Sequence, residues 1–203
     1  MVSSRTQDDA SVLETVGGIV VNTSCVLSIR SLSKIYRVGL RGCTASARAL
    51  DDVELEIRRG EVVAIVGAAN AGKTTLLRCA AGLLSPDDGT IERGHLADVR
   101  AITRFVESPV ELARLRSAED RWDLAIVDNV DLVRGDVGSA FALMAAARQA
   151  RQSGGALLLA ARDAQVVSHV ADRVHVLERG RLTRTNVPAT PSAARVAESW
   201  LRD

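Results

Sequence analysis

A short glycine-containing segment holds the residues of this sequence best suited to chemistry. It reads GAANAGKTT and runs from Gly67 to Thr75. Glycines let a backbone curl closely around an anion, so that successive N–H groups point at phosphate oxygens. A lysine and a threonine follow the second glycine, and these side chains suit a phosphate charge and a magnesium ion. The spacing Gly-x-x-x-x-Gly-Lys-Thr is therefore the pattern of a phosphate-binding P-loop.

The residue types in this loop have predicted roles. Lys73 would reach the β- and γ-phosphates of a nucleotide, and the hydroxyl of Thr74 would hold Mg²⁺. A helix that begins here would add a partial positive charge at its N-terminus. The alternative is a plain glycine turn between a strand and a helix. The candidate nucleotide-binding residues of the loop are Gly67, Ala68, Ala69, Asn70, Ala71, Gly72, Lys73, Thr74 and Thr75.

A magnesium ion at a P-loop also needs a carboxylate at the end of a neighbouring buried strand. The run LAIVD ends at Asp128 and has the composition of such a strand. The predicted metal ligands are therefore Thr74 and Asp128. An aspartate at this place could instead cap a helix or stabilise a turn.

Strands and helices must hold these residues at one edge of a sheet. The apolar run Val62–Val66 precedes the loop and predicts a strand buried on both faces, as do DLAIVD and ALLLA. Strands alternating with helices predict an α/β fold with a mainly parallel sheet. Further strands are predicted at 25–36, 48–58, 101–107 and on both sides of Gly180. Helices are predicted at 73–84, 108–116, 137–152 and 163–171 and after Pro191.

Composition limits the class of protein. The chain has 203 residues, 47% of them hydrophobic, which suffices for one domain with a core. The net charge of +1 gives no general attraction to nucleic acid or to an anionic membrane. No apolar run reaches the roughly 18 residues that crossing a bilayer needs, and the N-terminus lacks a signal pattern. We expect a cytoplasmic protein whose residues 1–24 form an extension, with their order left open.

Two longer segments carry a family resemblance. The stretch ALDDVELEIRRGEVVAIVGAANAGKTTLLRCAAGLLSPDDGTI and the later ADRVHVLERGRL resemble the ATP-binding cassettes of ABC transporters. The resemblance extends over about residues 26–184, with a gap in the middle. It implies a P-loop NTPase core with a mainly parallel sheet flanked by helices, and an antiparallel β portion near the N-terminus. It also implies that residues 25–203 form one truncated nucleotide-binding domain, with ATP and Mg²⁺ as cofactors.

The resemblance adds one nucleotide-binding residue outside the loop. In the family an aromatic side chain just after the first strand stacks on adenine, and Tyr36 occupies the matching place. It is the only tyrosine of a chain with 2% aromatic residues. A tyrosine here could instead pack at the edge of the core.

Three departures from the family bear on hydrolysis. The family's Asp-Glu pair, whose glutamate polarises the attacking water, is replaced by Asp128-Asn129, and an amide cannot accept that proton. Arg162 replaces the histidine expected after the next strand, and His169, one helical stretch later, is predicted to be a surface or packing residue. Only 54 residues separate Lys73 from Asp128, so the glutamine loop, helical subdomain and signature motif are not visible. Glu107 or Ser108 stands where the glutamine is expected.

These features lead to three hypotheses. The first is an accessory or regulatory cassette that binds Mg-ATP with weak or no hydrolysis, so that no catalytic residue is assigned. The second is a working ATPase subunit of an ABC transporter, completed by a partner cassette. The third is an interaction domain that binds no nucleotide. The resemblance implies another cassette or a transporter membrane subunit, at the inner face of the membrane, as partner, and no nucleic acid.

Overall fold

The computed structural model describes residues 13–16, 19–22, 25–40, 43–94, 103–108, 111, 122–130 and 137–188. The strands are β1 (Leu13–Val16), β2 (Ile19–Asn22), β3 (Cys25–Leu40), β4 (Cys43–Arg58), β5 (Val62–Val66), β6 (Asp88–Arg93), β7 (Thr103–Val106), β8 (Leu124–Val127), β9 (Ala156–Ala161), β10 (Arg173–Glu178) and β11 (Arg181–Pro188). The helices are α1 (Lys73–Ala81), α2 (Val137–Ser153) and α3 (Ala164–Val167).

The larger sheet has the order β11-β10-β5-β9-β8-β7. Its five strands from β10 to β7 are parallel, and β11 pairs antiparallel with β10 at one edge. Every residue of β5, β8 and β9 is buried, because layers of structure cover both faces of the sheet. The predicted α/β fold with a mainly parallel sheet is confirmed.

A second, antiparallel sheet has the order β4-β3-β6. Its inner face is apolar and its outer face is charged, which follows from the alternation VELEI in β4. The inner side chains, including Leu27, Ile29, Leu55 and Ile57, pack on the larger sheet together with α1. On the opposite face of the larger sheet, α2 and α3 cover a second apolar layer. The antiparallel portion near the N-terminus is therefore confirmed, and β1 and β2 pair as a separate hairpin.

Two predicted helices are shorter in the structure. Helix α1 ends at Ala81 rather than at Leu84, because Gly82 adopts the left-handed conformation (φ 78°) and closes the helix. Helix α3 covers Ala164–Val167 rather than 163–171, and the Asp163 carboxylate caps it by accepting from the Gln165 N–H. Helix α2 ends within one residue of its predicted position.

Other predictions have mixed outcomes. Strand β6 was not predicted, because its sequence DGTIER begins inside a turn signal. At the predicted capping box the Ser108 hydroxyl accepts from the Glu111 N–H at 3.3 Å, as expected. The Glu111 carboxylate accepts a hydrogen bond from the N–H of Glu107 at 3.0 Å. The remainder of that helix and the terminal helix after Pro191 lie outside the described residues.

Candidate functional site

The segment Gly67–Thr75 connects the central strand β5 to helix α1, as the P-loop pattern predicts. The N–H of Gly67 donates to the carbonyl of Ala161 at the end of β9 (3.3 Å), which joins the start of the loop to the sheet. A bond from the N–H of Leu76 to the carbonyl of Gly72 (2.9 Å) opens the first turn of α1. Asn70 has a positive φ of 64°, a conformation that asparagine tolerates better than most residues.

Both motif glycines stand where a side chain would not fit. A Cβ at Gly67 would overlap the carbonyl oxygen of Leu177 in β10. A Cβ at Gly72, whose φ is 107°, would overlap the carbonyl oxygen of Ala49. Ala49 is skipped in the pairing between β3 and β4, where the register shifts, and this bulge brings its carbonyl against the loop. The glycines therefore allow close backbone packing as well as the curl of the loop.

The turn between β10 and β11 supports the loop from outside. The N–H of Gly180 donates to the carbonyl of Ala71 in the loop (3.0 Å), and the carbonyl of Gly180 accepts from the N–H of Asp51 in β4 (2.9 Å). The Asp51 carboxylate pairs with Arg181 and Arg48, and their hydrogen bonds hold the pKa of Asp51 below its usual value. The turn thus holds the backbone of the loop and connects it to β4, and both the turn and β4 are distant from the loop in sequence.

The side chain of Lys73 lies along its own loop. Its ammonium donates to the carbonyl oxygens of Gly67 (2.6 Å) and Ala68 (2.7 Å). Thr74 is exposed at the first turn of α1. A positive charge and an exposed threonine therefore lie side by side at the N-terminus of a helix, where an anion is favoured.

Tyr36 lies beside the first turn of α1, next to the end of the loop. Its hydroxyl is 3.4 Å from the hydroxyl oxygen of Thr75, and 41% of the residue is exposed. An exposed aromatic ring next to the loop presents a flat apolar surface to a ligand. The alternative that Tyr36 packs into the edge of the core is not favoured by this exposure.

Asp128 follows β8 on the same edge of the sheet as the loop. The prediction that its strand neighbours the P-loop strand is wrong in one respect, because β9 lies between β5 and β8. The Asp128 N–H donates to the carbonyl of Val106 in β7 at 2.9 Å. Asn129 comes next and is exposed with a positive φ of 58°. Arg162 is exposed directly after β9, and His169 is exposed, so that of the two predicted roles the structure supports a surface residue.

An ion pair beside Asp128 was not predicted from the sequence. Nη2 of Arg78 in α1 lies 2.9 Å from Oε1 of Glu107, and this hydrogen bond raises the pKa of Arg78. Val106 pairs in register with Val127, so Glu107 and Asp128 follow neighbouring strands at equivalent positions. The sequence did contain a signal that Arg78 lies near the site, because Arg78 comes four residues after Thr74 and therefore shares its helix face.

Comparisons with known proteins agree with this architecture. The model of the ABC transporter family matches residues 50–183, about two thirds of the chain. The chain belongs to the ABC transporter family. It aligns with 86% of its length to the crystal structure of a nucleotide-free ATP-binding cassette from an ABC transporter, with a TM-score of 0.62 and 14% identity. That alignment covers 95% of the cassette and supports the fold.

Two curated relatives show the extent of the sequence match. Over 67 residues, 33% of this chain, it is 51% identical to the phosphonates import ATP-binding protein PhnC 1 of Natronomonas pharaonis. Over 115 residues, 57% of this chain, it is 36% identical to the phosphonates import ATP-binding protein PhnC 2 of Cupriavidus necator. The chain spans only 25% and 31% of the length of these two relatives. Among the described residues, no helix has the length and apolarity needed to cross a membrane.

Proposed function

We propose that this cassette binds Mg-ATP through Gly67–Thr75 and hydrolyses it weakly or not at all, as an accessory or regulatory subunit. The observation that carries the proposal is a contrast at one edge of the sheet. The P-loop has its strand, its turn, its helix and its lysine in place. The residue after Asp128 is an amide in a left-handed conformation. The site therefore has the groups that hold a phosphate and lacks the expected group that would take a proton from water.

The residues present fit a magnesium nucleotide. The two glycines allow the close backbone packing that shapes the loop, and Lys73 supplies a cation at the helix N-terminus. We assign the Mg²⁺ to the Thr74 hydroxyl and the Asp128 carboxylate. Among the described residues no three His, Cys, Asp or Glu side chains are grouped to hold a metal alone. Phosphate oxygens and water would therefore complete the coordination, as is usual for Mg²⁺.

The proposed weakness of hydrolysis rests on two substituted positions. Asn129 cannot act as a general base, and losing such a base removes a factor of roughly 10² to 10⁴ in rate. Arg162, at the end of β9, keeps a fixed positive charge and cannot relay a proton. Neither substitution changes the loop that would hold the phosphates, so affinity for the nucleotide should survive.

The family membership favours a second candidate, a working ATPase subunit of an import transporter. Its relatives are named for the import of phosphonates and taurine, and such a subunit would work at the cytoplasmic face beside membrane subunits. A partner cassette would then have to supply the groups that this chain lacks. Only 17 residues separate β7 from β8, which leaves little chain for a helical subdomain of the usual kind.

Isothermal titration with Mg-ATP tests the proposal. We expect saturable binding to the wild-type chain and a loss of affinity of roughly 100-fold or more in Lys73→Ala, because the cation that would contact the phosphates is removed. Arg148→Ala, which removes an exposed cation of α2, is the matched control and should bind as wild type. Equal binding by Lys73→Ala and wild type, or no binding by either, would overturn the proposal.

Phosphate release decides between the two candidates. With saturating Mg-ATP, we expect the chain alone to release phosphate no faster than the Lys73→Ala variant. A rate of about 1 s⁻¹ or more, typical of working enzymes, would instead support the ATPase subunit. Adding a purified partner cassette should raise the rate under the second candidate only.

A further inference from the structure

Asp87, in the turn after α1, contacts the three residues of β3 that precede Tyr36. Its carboxylate oxygen Oδ2 accepts a hydrogen bond from the N–H of Ile35 at 2.7 Å. Its own N–H donates to the carbonyl of Ser33 at 2.9 Å. The ammonium of Lys34 lies 3.4 Å from the same Oδ2. One residue therefore fixes the backbone at Ser33 and Ile35 and the side chain between them.

The topology explains why a side chain is used here. Strand β6 pairs with β3 only as far as Ser33, which stands opposite Asp88. Beyond that point the N–H of Ile35 has no ladder partner on this side, and an unpaired backbone donor is costly once it is shielded from water. The Asp87 carboxylate takes the place of the missing strand. The Lys34 ammonium also donates to the carbonyl of Ser85 (2.8 Å), so the turn and β3 are connected twice.

The ring of Tyr36 depends on this backbone for its direction. Its partner on β4 is Ala47, which is exposed and small, and its hydroxyl makes one long contact to Thr75. Because 41% of the residue is exposed, packing restrains the ring only in part. The conformation of β3 immediately before Tyr36 therefore decides where the ring stands relative to the loop.

We infer that Asp87 is a positioning residue for the base of a bound nucleotide, acting through Tyr36. The inference rests on the proposed function, to which we add the expectation from the family resemblance that Tyr36 stacks on the base while the loop holds the phosphates. Asp87 connects the turn at the end of α1, a helix that begins in the loop, to the strand that carries the ring. It thereby holds the base-stacking ring at a fixed distance from the phosphate cradle.

Affinities for two ligands separate positioning of the base from general damage. Magnesium tripolyphosphate contacts only the loop, whereas Mg-ATP also needs the ring. Asp87→Ala should weaken Mg-ATP binding roughly 10-fold, the loss expected for one base-aromatic stack, and leave tripolyphosphate binding within about two-fold. Asp88→Ala is the matched control, since its carboxylate accepts a hydrogen bond from the adjacent Gly89 N–H and not from β3. It should leave both affinities within about two-fold.

A double-mutant cycle identifies the residue through which Asp87 acts. In a Tyr36→Ala background, Asp87→Ala should cause no further loss of Mg-ATP affinity, because the ring that it positions is gone. Additive losses would refute the inference while leaving the proposed function intact. Wild-type protein that binds tripolyphosphate and Mg-ATP equally would refute it too, and wild-type protein that binds neither would overturn the proposed function as well.

The single tyrosine offers a direct readout that needs no activity. In protein carrying ¹³C-labelled tyrosine, the ring signals belong to Tyr36 alone. In wild type, stacking of the ring on the base should shift these signals upfield when Mg-ATP is added. We expect Asp87→Ala to shift or broaden the signals without ligand and to abolish the upfield shift that Mg-ATP causes. Asp87→Asn, which keeps an oxygen acceptor for the Ile35 N–H, should restore most of that shift. Spectra of Asp87→Ala identical to wild type with and without nucleotide would refute the inference.

Discussion

The carboxyl ends of β5 and β8 lie at the same edge of one sheet, yet they are built in different ways. After β5 the backbone is held on several sides, by the carbonyl of Ala49, by Gly180 and by β9. After β8 the half-buried Asp128 is followed by the exposed Asn129, which has a left-handed conformation. The first end is restrained by backbone packing, and the second presents side chains to solvent.

This difference shows which part of the site tolerates substitution. A backbone cradle depends on close packing, so any added atom there disturbs the strands around it. A side chain at an exposed strand end can change chemistry with little effect on the fold. The replacement of the expected glutamate by Asn129 is a change of the second kind, which is why the cradle survives beside it.

The largest effect is expected from Gly72→Ala. The new Cβ would overlap the Ala49 carbonyl oxygen, and the backbone of residue 72 has a φ of 107° that alanine rarely adopts. We therefore expect a loss of about 3 kcal/mol in the free energy of unfolding. Gly154→Ala is the control, because its φ of 75° is also positive but nothing lies within 4 Å. That variant should lose only about 1 kcal/mol. Urea denaturation measures both, and equal losses would contradict a role for close packing.

A similar magnitude is expected at His175, in the strand β10 that packs beside β5. The residue is 3% exposed, and burial, with a smaller effect of Arg173, lowers its pKa from 6.5 to about 4. The unfolded chain then binds the proton first, so stability is fully present above pH 6.5 and is lost as pH falls towards 4. The loss amounts to about 3 kcal/mol.

His175→Leu should remove this pH dependence of stability, because leucine cannot take up a proton when the chain unfolds. Urea denaturation between pH 7 and pH 4 should give a flatter profile than wild type, with the difference reaching about 3 kcal/mol at pH 4. His175→Gln, which also cannot titrate, should share the flatter profile even where its absolute stability differs. Parallel profiles for wild type and both variants would rule out the titration of His175 as the source.

A smaller effect is expected from Asn129→Glu at the open end of β8. The glutamate restores a carboxylate but must adopt a φ near 58°, which costs about 1 kcal/mol in a residue other than asparagine or glycine. We expect phosphate release to rise less than about ten-fold, because the group alone does not rebuild a site that lacks its other partners. A rise of roughly 100-fold or more would identify the amide as the only obstacle to hydrolysis.

The smallest effect is expected from Glu107→Gln. The Arg78–Glu107 pair is about half exposed on both sides, and exposed ion pairs contribute little. The free energy of unfolding should change by less than about 0.5 kcal/mol in thermal or urea denaturation. Arg78→Met should give a change of similar size, and a loss above about 2 kcal/mol in either would show that this end of the sheet is more tightly coupled than its exposure indicates.

Much of the fold followed from periodicity, because each pattern reports a local environment. Unbroken apolar runs predicted β5, β8 and β9, and the glycine spacing predicted the loop between β5 and α1. The end of α1 was missed because Gly82 looked like an interior residue of a pattern that continued to Leu84. Strand β6 was missed because only its pairing with β3 makes DGTIER extended.

The candidate site divides in the same way. Sequence alone determined the phosphate-binding pattern, the amide at Asn129 and the short connection before β8, since each is a property of residues close together in the chain. Only the tertiary structure decided that β9 separates β5 from β8, that Ala49 and Gly180 hold the loop, and that Asp87 reaches the strand of Tyr36. Those contacts join residues far apart in sequence, and no local pattern encodes them, because strand order and register arise from the packing of the whole sheet.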